Sequence, residues 1–266
     1  MKTLFLILFL PLSVMAEMMS YSVSPGIVKF ETIAGSVKSF DLNFLNQGGN
    51  LLNVDIKVMN LTLDREGVPV VSKISNQKEQ WGRFVKISKK TFKLKAKESK
   101  KINVMLEIPR SSSGGGYFAV VFNTSVPNVK HKRKKAHNVM SIGSQMPVLF
   151  IGKISRATYP KVQISQAAIN KSPYTKDKPL KLRFLVKNEG VTHINVAGDV
   201  LLRHNGKVVG RLMLESGSGL ILPNGDRYFT AVLDRFKQHT GKKLQAEARF
   251  SYLRGRANKK ITFTVK

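Results

Sequence analysis

Five histidines, His131, His137, His193, His204 and His239, are the first candidates for chemistry in this 266-residue chain. No two of them stand at a spacing that would bring both rings to one metal ion from a single strand, and there is no cysteine to complete a ligand set. His131 and His137 lie within NVKHKRKKAHN, where the surrounding Lys and Arg side chains repel a cation. A G-x-S-x-G nucleophile turn is missing, as is a phosphate loop. The run SSSGGG at 111–116 is rich in glycine but leads into Tyr117 rather than into Lys and a helix, so it predicts a loop or bulge. No carboxylate pair stands in a recognisable setting. The residues predict a protein that is not an enzyme and that uses no metal or cofactor.

Charge and hydropathy patterning carry more. Lys and Arg number 45 against 16 Asp and Glu, a formal net charge of +29. Such an excess attracts polyanions, and its densest cluster is Lys130, Lys132, Arg133, Lys134 and Lys135 in a stretch that predicts an exposed loop. Directly behind that cluster, Asn138 to Lys153 reads NVMSIGSQMPVLFIGK. Met140, Ile142, Met146, Val148 and Phe150 fall on even positions, with Ser144 interrupting, which predicts a β-strand over 139–151 with one apolar face. A strand of this kind either closes its own sandwich or offers its edge to another chain. Proteins that bind single-stranded nucleic acid interleave aromatics with Lys and Arg on a sheet face. Here Phe and Tyr share the parity of Leu, Ile and Val, so no nucleic-acid partner is expected.

The elements that must position these residues are strands. Phe92 and Leu94 alternate before a turn at KESKK, then Ile102, Val104, Leu106 and Ile108 alternate after it. Val54, Ile56 and Val58 form another row, as do Leu180, Leu182, Phe184 and Val186, then Ala246, Ala248, Phe250 and Tyr252, and finally Ile261, Phe263 and Val265. Punctuation by NQGGN, REGVP and LPNGD gives the spacing of antiparallel sandwiches. Short helical turns are expected near Gln77–Trp81 and Phe236–Thr240. There are more strands than one seven-stranded sandwich needs. The fold class is therefore all-β, with two immunoglobulin-like β-sandwich domains in tandem, over 20–156 and 160–266, parted near SRATYPK. Residues 1–16, MKTLFLILFLPLSVMA, predict a secretory signal peptide: Lys2, a short apolar run, and cleavage after Ala16. No later stretch reaches the length of a transmembrane helix. Export without cysteine favours a bacterial periplasm, with the cell surface as the alternative.

YSVSPGIVKF followed by SFDLNFLNQGGNLLNVDIKV resembles the start of the PapD-like, immunoglobulin-like periplasmic chaperones that assemble pili. ISKKTFKLKAKESKKINVMLEIP, GGGYFAVVFNT and NVMSIGSQMPVLFIGK resemble their later strands, so the likeness covers about residues 20 to 155. The second half, with NEGVTHINVAGDVLLRHNGKVVG and LILPNGDRYFTAVLD, resembles the C-terminal domain of a broader group of exported envelope proteins. There Asn188, Gly190, His193 and Gly198 would shape one turn and strand, and Leu222, Pro223 and Arg227 another. The resemblance implies a chaperone of pilus or surface-fibre subunits, working with an usher, in which the strand bearing Met140, Ile142, Met146, Val148 and Phe150 is lent to a subunit. It also implies two basic residues in a cleft that hold the subunit's terminal carboxylate. The matching positions hold Ile27 and Pro147, which leaves Lys29 and Lys153 as the cleft candidates. The alternative function is a non-enzymatic scaffold that binds an anionic envelope polymer, peptidoglycan or lipopolysaccharide, through the basic loop.

Overall fold

A computed structural model describes residues 19–74, 81–127, 143–155, 160–170, 173–175, 177–215, 217–253 and 255–265. The signal sequence predicted over 1–16, the basic cluster Lys130, Lys132, Arg133, Lys134 and Lys135, and Met140 and Ile142 of the predicted strand lie outside the described residues.

The first part of the chain forms β1 (Tyr21–Ser24), β2 (Ile27–Thr32), β3 (Val37–Asn46), β4 (Leu52–Leu63), β5 (Pro69–Ser72), β6 (Val85–Ile87), β7 (Thr91–Leu94), β8 (Ser99–Glu107), β9 (Gly115–Ser125) and β10 (Gly143–Ile154). One sheet has the order β1-β3-β8-β6 and the facing sheet β2-β10-β9-β4-β5, with β7 also on β4. Alternation decides which side chains meet between them. On β8, Ile102, Val104 and Leu106 are fully buried while Lys101 is exposed. They cluster with Leu42 and Phe44 of the neighbouring β3 and, from the other sheet, with Val54, Ile56, Phe118, Val120, Phe122, Val148 and Phe150. Each such side chain removed from water contributes about 1.5–3 kcal/mol. The N-terminal strand changes sheet at Pro25 and Gly26: β1 pairs antiparallel with β3, and β2 then runs parallel to β10.

The second part forms β11 (Val162–Ile169), β12 (Leu180–Asn188), β13 (Ile194–Asn195), β14 (Ala197–His204), β15 (Lys207–Met213), β16 (Leu220–Ile221), β17 (Asp226–Leu233), β18 (Lys243–Tyr252) and β19 (Gly255–Thr264). Its sheets are β11-β12-β17 and β15-β14-β18-β19, with a small β13-β16 pair. They enclose a core of their own, in which Phe184, Phe229 and Phe250 meet edge to face. Among the described residues, no sheet is shared between the stretch up to Ile154 and the stretch from Val162 onward. Single 3-10 turns stand at Trp81–Phe84 and Phe236–His239, near the two expected short helical turns.

Both sandwiches end a strand on the same device. Asn46 closes β3 and Asn188 closes β12, each fully buried. The Asn46 amide donates to the carbonyls of Asn50, Leu94 and Lys95, and its oxygen accepts from Gly48. The Asn188 amide donates to Thr192 and Ile221, and its oxygen accepts from Gly190. A buried amide satisfied on both sides fixes where the next segment departs.

Candidate partner-binding edge and cleft

β10 has two unequal flanks. Along β9 it is paired throughout, from Gly143 against Ser125 to Lys153 against Gly115. Along β2 pairing starts only at Leu149 against Ile27 and runs to Ile154 against Thr32. Among the described residues, no strand lies against the second flank of Gly143–Val148. Parity tells which groups look that way. The Leu149 N–H donates to the Gly26 carbonyl on the β2 side at 3.0 Å, whereas the Ile154 N–H donates to Gly114 on the β9 side at 3.0 Å. Gly143, Gln145 and Pro147 share the parity of Leu149, so their backbones face the open flank. The N–H that Pro147 lacks is thus one the β9 ladder never used, which is why a proline is tolerated in a strand this well paired.

The structure corrects the reading of the apolar row. Val148 and Phe150 have 0% exposure and belong to the core of their own sandwich. Phe150 stacks on Phe118 at 4.6 Å and meets Phe40 edge-on at 5.4 Å. These two side chains are therefore not a row offered to another chain. Met146 is half-buried. The odd positions, which the alternation pattern passed over, do separate work: Leu149 and Ile151 pack with Leu61, Leu220 and Leu222 across the junction of the two sandwiches. The uninterrupted VLFI at 148–151 was the available signal, since a strand buried on both faces reads as a continuous apolar run.

Lys29 and Lys153 come together on the outer face of this sheet. The register sets Lys29 beside Ile151 and Glu31 beside Lys153, and Lys153 Nζ pairs with Glu31 at 2.5 Å. Lys153, Pro160, Thr192, His193, Ile194, Asn195 and Leu253 line a cavity of about 330 Å³ between the sandwiches. His193 had been expected only to shape a turn. Its backbone N–H donates to the Tyr117 hydroxyl at 2.7 Å, and that hydroxyl lies 3.2 Å from His193 Nδ1. The phenol oxygen accepts from the backbone, and its own proton serves Nδ1 in the tautomer that carries the imidazole hydrogen on Nε2. Burial holds the imidazole down to about 4, and the ammonium groups of Lys153 and Lys29 push the same way against Glu31. Burial also raises the Tyr117 phenol. The pair is neutral at ordinary pH and joins the two sandwiches.

The SSSGGG run forms part of this junction. A Cβ on Gly114 would stand 2.5 Å from the Val191 carbonyl, and that same carbonyl accepts the Gly115 N–H at 3.0 Å. Close backbone approach, rather than phosphate binding, explains the glycines. No group of three or more His, Cys, Asp or Glu that could hold a metal ion occurs among the described residues. No described helix is long and apolar enough to cross a membrane.

No family model and no curated protein matches the chain. Among solved structures it is similar to the class 5 fimbriae chaperone CfaA, at 11% identity and a TM-score of 0.45, over 91% of this chain and 98% of that one. It is similar to the YadV chaperone at 13% identity and a TM-score of 0.43, over 92% and 100% of the two chains. It is also similar to the E. coli chaperone DraB at 14% identity and a TM-score of 0.42, over 93% and 97%. The chain's own sheets define the class: an all-β fold of two successive β-sandwiches, in which β10 is paired on its second flank only from Leu149 onward among the described residues.

Proposed function

We propose that this chain is an exported, periplasmic chaperone-like protein that holds a subunit of a pilus or surface fibre by strand addition. One observation carries the reading: the flank of β10 from Gly143 to Val148 is unpaired among the described residues, next to a half that is sealed by β2. An extended segment laid there gains main-chain hydrogen bonds with the N–H and C=O groups of Gly143 and Gln145 and with the carbonyl of Pro147. The side chains of Val148 and Phe150 contribute by stiffening the strand from within, while the half-buried Met146 meets the subunit; Met140 and Ile142, outside the described residues, join it on sequence parity alone. Lys29 and Lys153 favour an anionic end group at the cleft. Their two positive charges outnumber the single Glu31, although the Glu31 pair occupies Lys153.

The test is co-expression with a fibre subunit encoded beside the gene, followed by co-purification and amide hydrogen exchange. Protection of the Gly143 and Gln145 amides in the complex, and loss of capture in Gln145→Pro, is the expected result. Capture by Gln145→Pro at full yield, with those two amides exchanging freely, overturns the reading.

A further inference from the structure

The loop between β4 and β5 reaches from the first sandwich onto an edge of the second. Its tip is preshaped: the Asp64 carboxylate accepts the N–H groups of Glu66 at 2.9 Å and Val68 at 2.8 Å, and Gly67 takes a φ of 82°. Consecutive tip residues then engage the second sandwich. The Arg65 carbonyl accepts the Tyr228 N–H of β17 at 2.7 Å, and the Arg65 guanidinium pairs with Asp226 at 3.0 Å. Glu66 pairs with Arg183, whose guanidinium lies over the Tyr228 ring at 3.9 Å.

Arg227 sits beneath these contacts at 5% exposure. Its Nη1 donates to the Leu220 carbonyl of its own sandwich at 3.0 Å, and its Nη2 to the Glu66 carbonyl of the other at 3.2 Å. Nε is buried without a partner. The fork packs so closely on Gly67 that a Cβ there would stand 2.1 Å from the Arg227 Cζ. Burial lowers the affinity of this guanidinium for its proton, with Asp64 and Glu66 opposing. A buried cation whose two bonds end on neutral carbonyls is a poor source of stability, because desolvation offsets most of what those bonds contribute. A rigid planar fork that reaches one carbonyl on each side of a junction is, however, a good source of fixed geometry.

We propose that Arg227 and the Asp64–Val68 tip form a latch that sets the angle between the two sandwiches, with Arg227 as its positioning residue. Shut, the latch keeps Leu220 and Leu222 seated on Leu149 and Ile151 and so steadies the sealed half of β10. That last consequence rests on the function proposed above; the angle itself does not.

The absence of cysteine allows clean labelling. Lys93→Cys and Lys259→Cys place one spin label on an exposed strand position of each sandwich, and electron–electron double resonance reads the distance between them in the full protein. The parent gives one narrow distribution. Arg227→Met, which keeps bulk but not the fork, broadens it about twofold, since free motion is the default for domains lacking a fixed interface. Gly67→Ala does the same by displacing an intact Arg227, and it guards against a folding defect at the buried site. Arg65→Ala removes one exposed ion pair of the tip and broadens the distribution less than Arg227→Met does. Unchanged width in both Arg227→Met and Gly67→Ala overturns the latch, and so does a broad distribution in the parent. Broadening by Arg65→Ala equal to that of Arg227→Met removes Arg227 as its centre. Subunit capture is scored in a separate arm, so loss of capture with an unchanged angle counts against neither the latch nor its residues.

Discussion

Replacing Phe150 by Ala separates a strand that fills its own core from one whose side chains are kept for a partner. Phe150 is fully buried, stacked on Phe118 at 4.6 Å and edge-on to Phe40 at 5.4 Å. Truncating a buried Phe costs about 3–5 kcal/mol, part of it from the lost ring contacts. At roughly 3–5 °C per kcal/mol for a domain of this size, the melting temperature of the free protein falls by on the order of 10–25 °C. Thermal unfolding by circular dichroism, without any subunit present, is the assay. Gln145→Pro is the matched control. Its N–H faces the open flank, so the loss leaves the β9 ladder intact, and the free protein melts within about 3 °C of the parent. With a subunit, the same change removes one main-chain bond and strands its acceptor, a loss of about 1–3 kcal/mol. Capture then weakens by roughly tenfold or more. Phe150→Ala melting within about 3 °C of the parent would falsify the assignment of the even row to the protein's own core.

Asn46→Ala and Asn188→Ala each strand several buried carbonyls and should lower urea stability by about 2–4 kcal/mol, one in each sandwich, with additive effects. Asp199 lies between Arg249 and Arg211, and hydrogen bonding from Arg249 first, then Arg211, holds its carboxyl below the usual 3.8. A depressed carboxyl stabilises above its unfolded value and loses that contribution as pH falls through the folded one, so Asp199→Asn should flatten the stability profile below about pH 4 and leave a uniformly lower plateau above it. His193 behaves with the same direction for a different reason: its folded value of about 4 lies below 6.5, so the unfolded chain takes up the proton first and stability falls as pH drops from 6.5 to 4. The ceiling for this effect is about 3 kcal/mol, reduced by solvent screening because the ring is only partly buried. Denaturant unfolding at a series of pH values should lose that slope in His193→Gln, and an unchanged slope would count against the Tyr117–His193 pair as the cause.

Much of the architecture was legible in the sequence because a strand that buries one face must alternate, and alternation is local. Ile102, Val104 and Leu106, or Leu180, Leu182 and Phe184, could be assigned to a core without knowing what they faced. The SSSGGG run and VLFI were visible but not interpretable, because their reasons lie in Val191 and in Leu220 and Leu222, far along the chain. His193 was placed in a turn; its bond to Tyr117 depends on two sandwiches meeting.

By itself the sequence determined an all-β chain in two successive sets of strands, a strong positive charge, and a greasy strand behind the basic loop. These follow from composition and from the two-residue repeat of an extended backbone. Only the tertiary structure decided which flank of that strand is unpaired among the described residues, that Val148 and Phe150 point inward while Leu149 and Ile151 meet the second sandwich, and that Arg227 reaches across to Glu66. The physical reason is range. Side-chain parity is set by neighbours one and two residues away, whereas pairing, burial on a second face and cross-junction hydrogen bonds are set by segments that only folding brings together.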